Sequence, residues 1–125
     1  MVDSPFADLQ AIIAEELTRT GYPAFLAPGG VLAARLIGGV DLLAHSPKDA
    51  VRNDAGRPIF IVHGTADKRI NVHHARELEA LAKDTGANLR VWYVDGAGHV
   101  ASVFIKPDEY EQKMVAFFKQ ALASK

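Results

Sequence analysis

The sequence predicts an α/β fold, a parallel sheet with flanking helices, and three observations predict it. Ile59-Phe60-Ile61-Val62 is a continuous apolar run without alternation, as a strand covered on both faces is, and Leu89-Arg90-Val91-Trp92-Tyr93-Val94 reads as a second strand. A helical repeat lies between them and another follows, so the order is strand, helix, strand, helix, which calls for a right-handed parallel crossover. The 125 residues are 49% hydrophobic and 23% charged, enough for one compact domain and too balanced for disorder.

Taken in order, Val2-Asp3 reads as at most the remnant of a strand, and Ser4-Pro5 as a helix start, with the serine oxygen as cap and proline in the first turn. Leu9, Ile12, Ile13 and Leu17 then line one helical face that ends near Gly21. Residues 22–57 are read as an irregular excursion. Pro23, Pro28, Gly29, Gly30, Gly38, Gly39 and Pro47 leave room only for short helices such as one around Val31 to Ile37, and the glycine pairs are read as flexible punctuation. Within it, Leu26, Val31, Leu32, Leu36 and Leu42 suit an apolar lid, although ordinary packing is the expected use.

Residues 58–125 carry the regular structure. After the first strand, Asn71 is the expected cap of a helix to about Thr85, with Ala75, Leu78, Leu81 and Ala82 inward and Gly86 as the left-handed stop. The second strand spans Leu89 to Val94, with Trp92 as core. Pro107 opens the last helix, whose buried stripe is Tyr110, Met114, Phe117, Phe118 and Leu122.

Several function classes fall away on composition. A net charge of −1 with scattered Lys and Arg gives neither a nucleic-acid surface nor a membrane patch. The absence of cysteine excludes disulfides, thiolate metal sites and cysteine nucleophiles. The start of the chain lacks a secretory signal and no run is long enough to cross a bilayer, so a cytoplasmic protein is expected. No cofactor is implied.

The chemistry concentrates at two loops. Ligands of open parallel sheets gather beyond the carboxyl ends of the strands, and Asp67 and His99 both follow such ends. Gly64-Thr65-Ala66 and Gly96-Ala97-Gly98 precede them, letting the backbone turn sharply. An acid and a histidine so placed are two members of a Ser-His-Asp triad. In the chain order serine, acid, histidine the serine comes first, and nothing before Asp67 has the form Gly-x-Ser-x-Gly. Alone, Asp67 reads as a turn residue and His99 as a solvated loop histidine; together they read as a pair.

The remaining candidates read blandly. Of the serines, Ser4 is taken as a cap and Ser102 as a neighbour of the histidine loop, while Ser46 and Ser124 lack an elbow context. His73 and His74, adjacent on a helix, are expected to point apart at the surface and not to share a metal. His63 is expected to be a hydrogen-bonded structural residue.

His63-Gly64-Thr65-Ala66-Asp67 and Gly96-Ala97-Gly98-His99 resemble the acid and histidine loops of the α/β-hydrolase family, especially its peptidase-like and esterase-like branches. Asp3-Ser4-Pro5-Phe6 resembles the end of the strand that follows the nucleophile helix there. The resemblance covers essentially the whole chain but only the carboxyl-terminal half of that fold. It implies Asp67 as triad acid, His99 as triad base, and an ester or amide substrate, with the serine and the oxyanion-hole amides lacking counterparts. The expectation is therefore a serine hydrolase part inactive by itself. With two secure strands, an exposed sheet edge is expected to drive self-association or pairing with an amino-terminal half. The rival expectation is a non-catalytic oligomerisation or binding module built on the same fold.

Overall fold

The computed structural model describes residues 1–44 and 46–123; Ser124, noted above among the serines, lies outside them. The elements run β1 (Val2–Asp3), α1 (Leu9–Arg19), a 3-10 turn (Ala24–Leu26), α2 (Ala27–Gly38), α3 (Pro47–Arg52), β2 (Ile59–Gly64), α4 (His73–Thr85), β3 (Leu89–Val94), α5 (Ser102–Ile105) and α6 (Pro107–Ala123). The three strands form one parallel sheet in the order β1-β2-β3.

Register is what places the site. Ile59 pairs with Leu89 and so on without a slip to Gly64 with Val94, so β2 and β3 end level and their outgoing loops leave side by side. On the other flank Val2 pairs with Ile61 and Asp3 with Val62, and the Ser4 amide carries the ladder on by donating to the Val62 carbonyl at 2.9 Å.

Alternation along β2 explains its unbroken apolar run. Ile61 joins Ala7, Val51, Ala75, Leu78 and Ala82 on the face covered by α4, while Phe60 and Val62 join Val94 and Ala97 on the face where Tyr110 and Phe117 of α6 pack. Trp92 packs partly buried against this second cluster, with Tyr110 at 6.2 Å and the Lys113 ammonium 5.1 Å from its ring centre.

Several elements differ from expectation, each for a physical reason. Helix α1 begins at Leu9, where the Asp8 carboxylate accepts from the Ala11 amide at 2.9 Å; Ser4 is not its cap. Residues 22–57 are more regular than an excursion. Pro28 sits in the first turn of α2, where a missing amide costs nothing, and Gly39 at φ 65° stops that helix, so Gly38-Gly39 acts as a terminator. Ser46 and Asp49 form a reciprocal capping box on α3 with Pro47 in its first turn. Leu26, Leu32 and Leu36 are exposed instead of packed.

Helix α4 starts two residues after Asn71, whose side-chain oxygen accepts from the His73 amide at 3.0 Å, and it stops at Gly86 in the left-handed conformation. The stripe of α6 is only half covered. Phe117 reaches Phe60 at 5.7 Å, but Phe118 and Leu122 are exposed, Leu122 by 66%, because three strands do not extend under the whole 17-residue helix. No helix among the described residues is long and apolar enough to cross a membrane.

Candidate active site

Asp67 and His99, separated by 32 positions in sequence, meet: His99 Nδ1 lies 2.9 Å from Asp67 Oδ2. The carboxylate is buried. Its Oδ1 accepts from the amides of Arg69 at 2.8 Å and Ile70 at 2.9 Å, the closed turn that a short acidic side chain makes with its own following backbone. Burial by itself pushes the Asp67 pKa up, but the hydrogen bonds from His99, Ile70 and Arg69 together outweigh it and hold the group below the ordinary aspartate value. An ionised Asp67 accepts only, so the hydrogen bond requires the proton of His99 on Nδ1 and leaves Nε2 as the basic nitrogen. The imidazole is partly exposed while the carboxylate beneath it is sealed.

The two loops are built into each other. Ala66 donates from its amide to the Ala97 carbonyl at 3.0 Å, Thr65 to Val94 at 3.0 Å, and the Thr65 hydroxyl donates to Asp95 at 3.0 Å while accepting from the Gly96 amide at 2.9 Å. Gly64 is the point of closest approach. A Cβ there would lie 2.2 Å from the Ala97 oxygen and 2.8 Å from the Gly98 oxygen, so only a hydrogen lets the histidine loop cross the end of β2. Gly96, at φ 71°, makes the turn that brings that loop back.

His63 is fully buried beneath the pair. Its Nε2 donates to the Ile70 carbonyl at 2.9 Å and lies 3.7 Å from Asp67 Oδ2, pinning the far end of the acid loop, as expected of a structural histidine. Among the described residues its Nδ1 is buried without a partner, as is the Ser102 hydroxyl at the start of α5. Ser46 is engaged in its capping box. Ser4 is buried against the histidine loop: its hydroxyl donates to Asp3 Oδ1 at 3.0 Å and accepts from the Val100 amide at 3.2 Å.

The sequence reading of His73 and His74 needs correction. Their rings lie 4.2 Å apart centre to centre and both converge on Glu15 of α1, each Nε2 at 3.2 Å from one of its carboxylate oxygens, and His74 is fully buried. Adjacent residues at a helix start diverge by about 100°, but a carboxylate from a packed helix bridges them. These three groups have the donor types of a metal site. The Ala7 amide, however, donates to His74 Nδ1 at 3.3 Å, which keeps the His74 proton on Nε2 facing Glu15. The cluster is thus a hydrogen-bonded clasp between α1 and α4, and a metal on Nε2 would force a proton onto Nδ1 against that amide.

The model of the prolyl oligopeptidase family matches residues 33–125. No curated protein sequence gives a significant match. Two structures of an esterase from Pyrococcus furiosus are similar. One gives a TM-score of 0.56 at 20% identity, covering 90% of this chain and 40% of the esterase chain. The other gives 0.61 at 21% identity, covering 94% and 42%. At such identities the likeness is one of fold, and this chain spans about two fifths of the esterase chains' length.

Proposed function

Since the chain belongs to the prolyl oligopeptidase family and has a serine hydrolase-like α/β fold, we propose that Asp67 and His99 are the acid and the base of a Ser-His-Asp triad cleaving an ester or amide bond. The observation that carries this reading is the 2.9 Å contact between a buried carboxylate and His99 Nδ1 at the carboxyl ends of adjacent parallel strands. In the first step His99 Nε2 takes the proton of the attacking serine as its oxygen bonds to the acyl carbon. The imidazolium so formed, stabilised by Asp67, returns the proton to the leaving group. Water then repeats the cycle to release the acyl group.

Among the described serines, Ser4 and Ser46 are committed to hydrogen bonds and Ser102 is sealed, so in this reading the nucleophile comes from outside the described residues. General acid-base catalysis contributes about 100- to 10,000-fold by itself, far short of an enzyme's whole acceleration. With no nucleophile for His99 to activate, that contribution is not realised, and the chain alone should show little or no hydrolysis of a p-nitrophenyl ester. The longest polypeptide encoded in frame with it should react with a fluorophosphonate probe, and lose that reaction in His99→Ala. Turnover by the chain alone that vanishes in His99→Ala would overturn the external nucleophile; a labelled longer product indifferent to His99→Ala would overturn the role of His99.

The apolar surface supports a partner on the same polypeptide or a second copy. β1 is an edge strand with Val2 exposed, and α2 with the turn before it presents Phe25, Leu36 and Ile37, the last 88% exposed. Edges and apolar faces of this kind template association. Light scattering of the chain at micromolar concentration should give a dimer or larger, and a clean monomer would count against association.

A further inference from the structure

We infer that Ser4, from the opposite end of the chain, is a positioning residue for His99, acting through the backbone of Val100; the inference rests on the proposed pairing of Asp67 with His99. Val100 follows the histidine directly and has φ 53°. That region is avoided by β-branched residues, whose Cβ crowds the carbonyl there, so Val100 stays in it only where neighbouring contacts hold it. Its amide donates to Ser4 Oγ at 3.2 Å, a contact across 96 positions of sequence.

The serine is itself oriented. Its hydroxyl donates to Asp3 Oδ1 at 3.0 Å, which turns a lone pair toward Val100, and Asp3 Oδ2 accepts from the Tyr110 hydroxyl of α6 at 3.1 Å. Ser4 is 5% exposed and has φ 50°, a left-handed conformation, and its amide continues the β1 ladder by donating to the Val62 carbonyl. Two residues in the left-handed region, one just past β1 and one in the loop that follows β3, are thus tied hydroxyl to amide. A side chain committed only to local folding would not need an acceptor pointed at the residue after the proposed base. The tie sets where the histidine loop turns after His99, and so the approach of Nδ1 to Asp67.

The experiment is NMR of the imidazole nitrogens and their protons in the full 15N-labelled chain, with His99 assigned through His99→Gln. The parent should have His99 protonated on Nδ1, with a low-field proton from the bond to Asp67. Ser4→Gly, which removes the hydroxyl and relieves the left-handed strain at position 4, should lose that low-field proton and shift His99 toward the Nε2-protonated form, with the His63 and His74 signals unchanged. Adding Val100→Asn, a residue that accepts the left-handed conformation readily, should restore it.

An intact His99 signal in Ser4→Gly would overturn the role of Ser4, as would a loss shared equally by His63 and His74. Failure of Val100→Asn to restore the signal would overturn the route through Val100. A parent chain without the low-field proton would instead overturn the Asp67–His99 pairing itself.

Discussion

Gly64→Ala should destabilise the chain by about 3 kcal/mol or more and detach His99 from Asp67, the largest effect expected of any one-carbon change here. The reason is space, since Gly64 does not need a left-handed backbone. Its Cβ would sit 2.2 Å from one carbonyl oxygen and 2.7 Å from the carbon bonded to it, and both belong to backbone that cannot rotate away as a side chain would. Relief requires the loop of residues 96–99 to back off by about 1 Å, which breaks the Ala66–Ala97 and Gly96–Thr65 hydrogen bonds that lock the two loops. Gly98→Ala is the matched control. A Cβ there meets nothing within 4 Å, so it should cost less than about 1 kcal/mol. Urea midpoints with the His99 ring spectrum check both. A Gly64→Ala chain within about 0.5 kcal/mol of the parent would mean that the loops do not close over β2 as described.

This crossing was only partly legible in the sequence. Gly64 and Gly96-Ala97-Gly98 read as residues that let a backbone turn, which holds for Gly96, whereas the need at Gly64 arises from a loop more than 30 positions away. Strand β2 is legible because burial on both faces writes a local signal, an apolar run bounded by turn residues, and β3, although only partly buried, still carries a mostly apolar run. The meeting of Asp67 and His99 followed from that, since level parallel strands deliver their loops to one edge.

Much of the rest is decided by distant neighbours. Ser4 preceded by Asp3 and followed by Pro5 looks like a cap, yet its hydroxyl is claimed by a residue 96 positions on, and Asp8 caps the helix in its place. Proline and glycine in residues 22–57 were read as breakers, but Pro28 and Gly39 occupy the two helix positions that favour them. The box Ser46-Pro47-Lys48-Asp49, by contrast, is a local signal that the sequence itself carries. His73 and His74 were judged from their own helix alone, whereas Glu15 of α1 joins them. The exposure of Phe118 and Leu122 depends on sheet width, which no periodicity within α6 records.

Asp67 should separate stability from chemistry when replaced in two ways. Asp67→Ala leaves three donors without an acceptor, the amides of Arg69 and Ile70 and Nδ1–H of His99, and at about 1 kcal/mol or more for each stranded group it should cost about 3 kcal/mol at pH 7. Asp67→Asn keeps one oxygen for the two amides, so its cost should be nearer 1 kcal/mol. Its amide NH2 would then face His99, which must answer with a lone pair on Nδ1 and move its proton to Nε2. That is the wrong tautomer for a base, and in a product carrying the nucleophile kcat should fall by about 10,000-fold. The pH dependence tells the two forms of stabilisation apart. The folded pKa of Asp67 lies below the unfolded value of about 3.9, so the unfolded chain binds the proton first as pH falls. The stability that the carboxylate contributes is therefore complete above that value and is lost as pH drops through the lower folded one. Urea midpoints of the parent and Asp67→Asn should draw together as pH falls below about 4, through the lowered pKa of Asp67. A difference that persists unchanged into acid would show that the charge on Asp67 does not hold the two loops together, and that shape alone does.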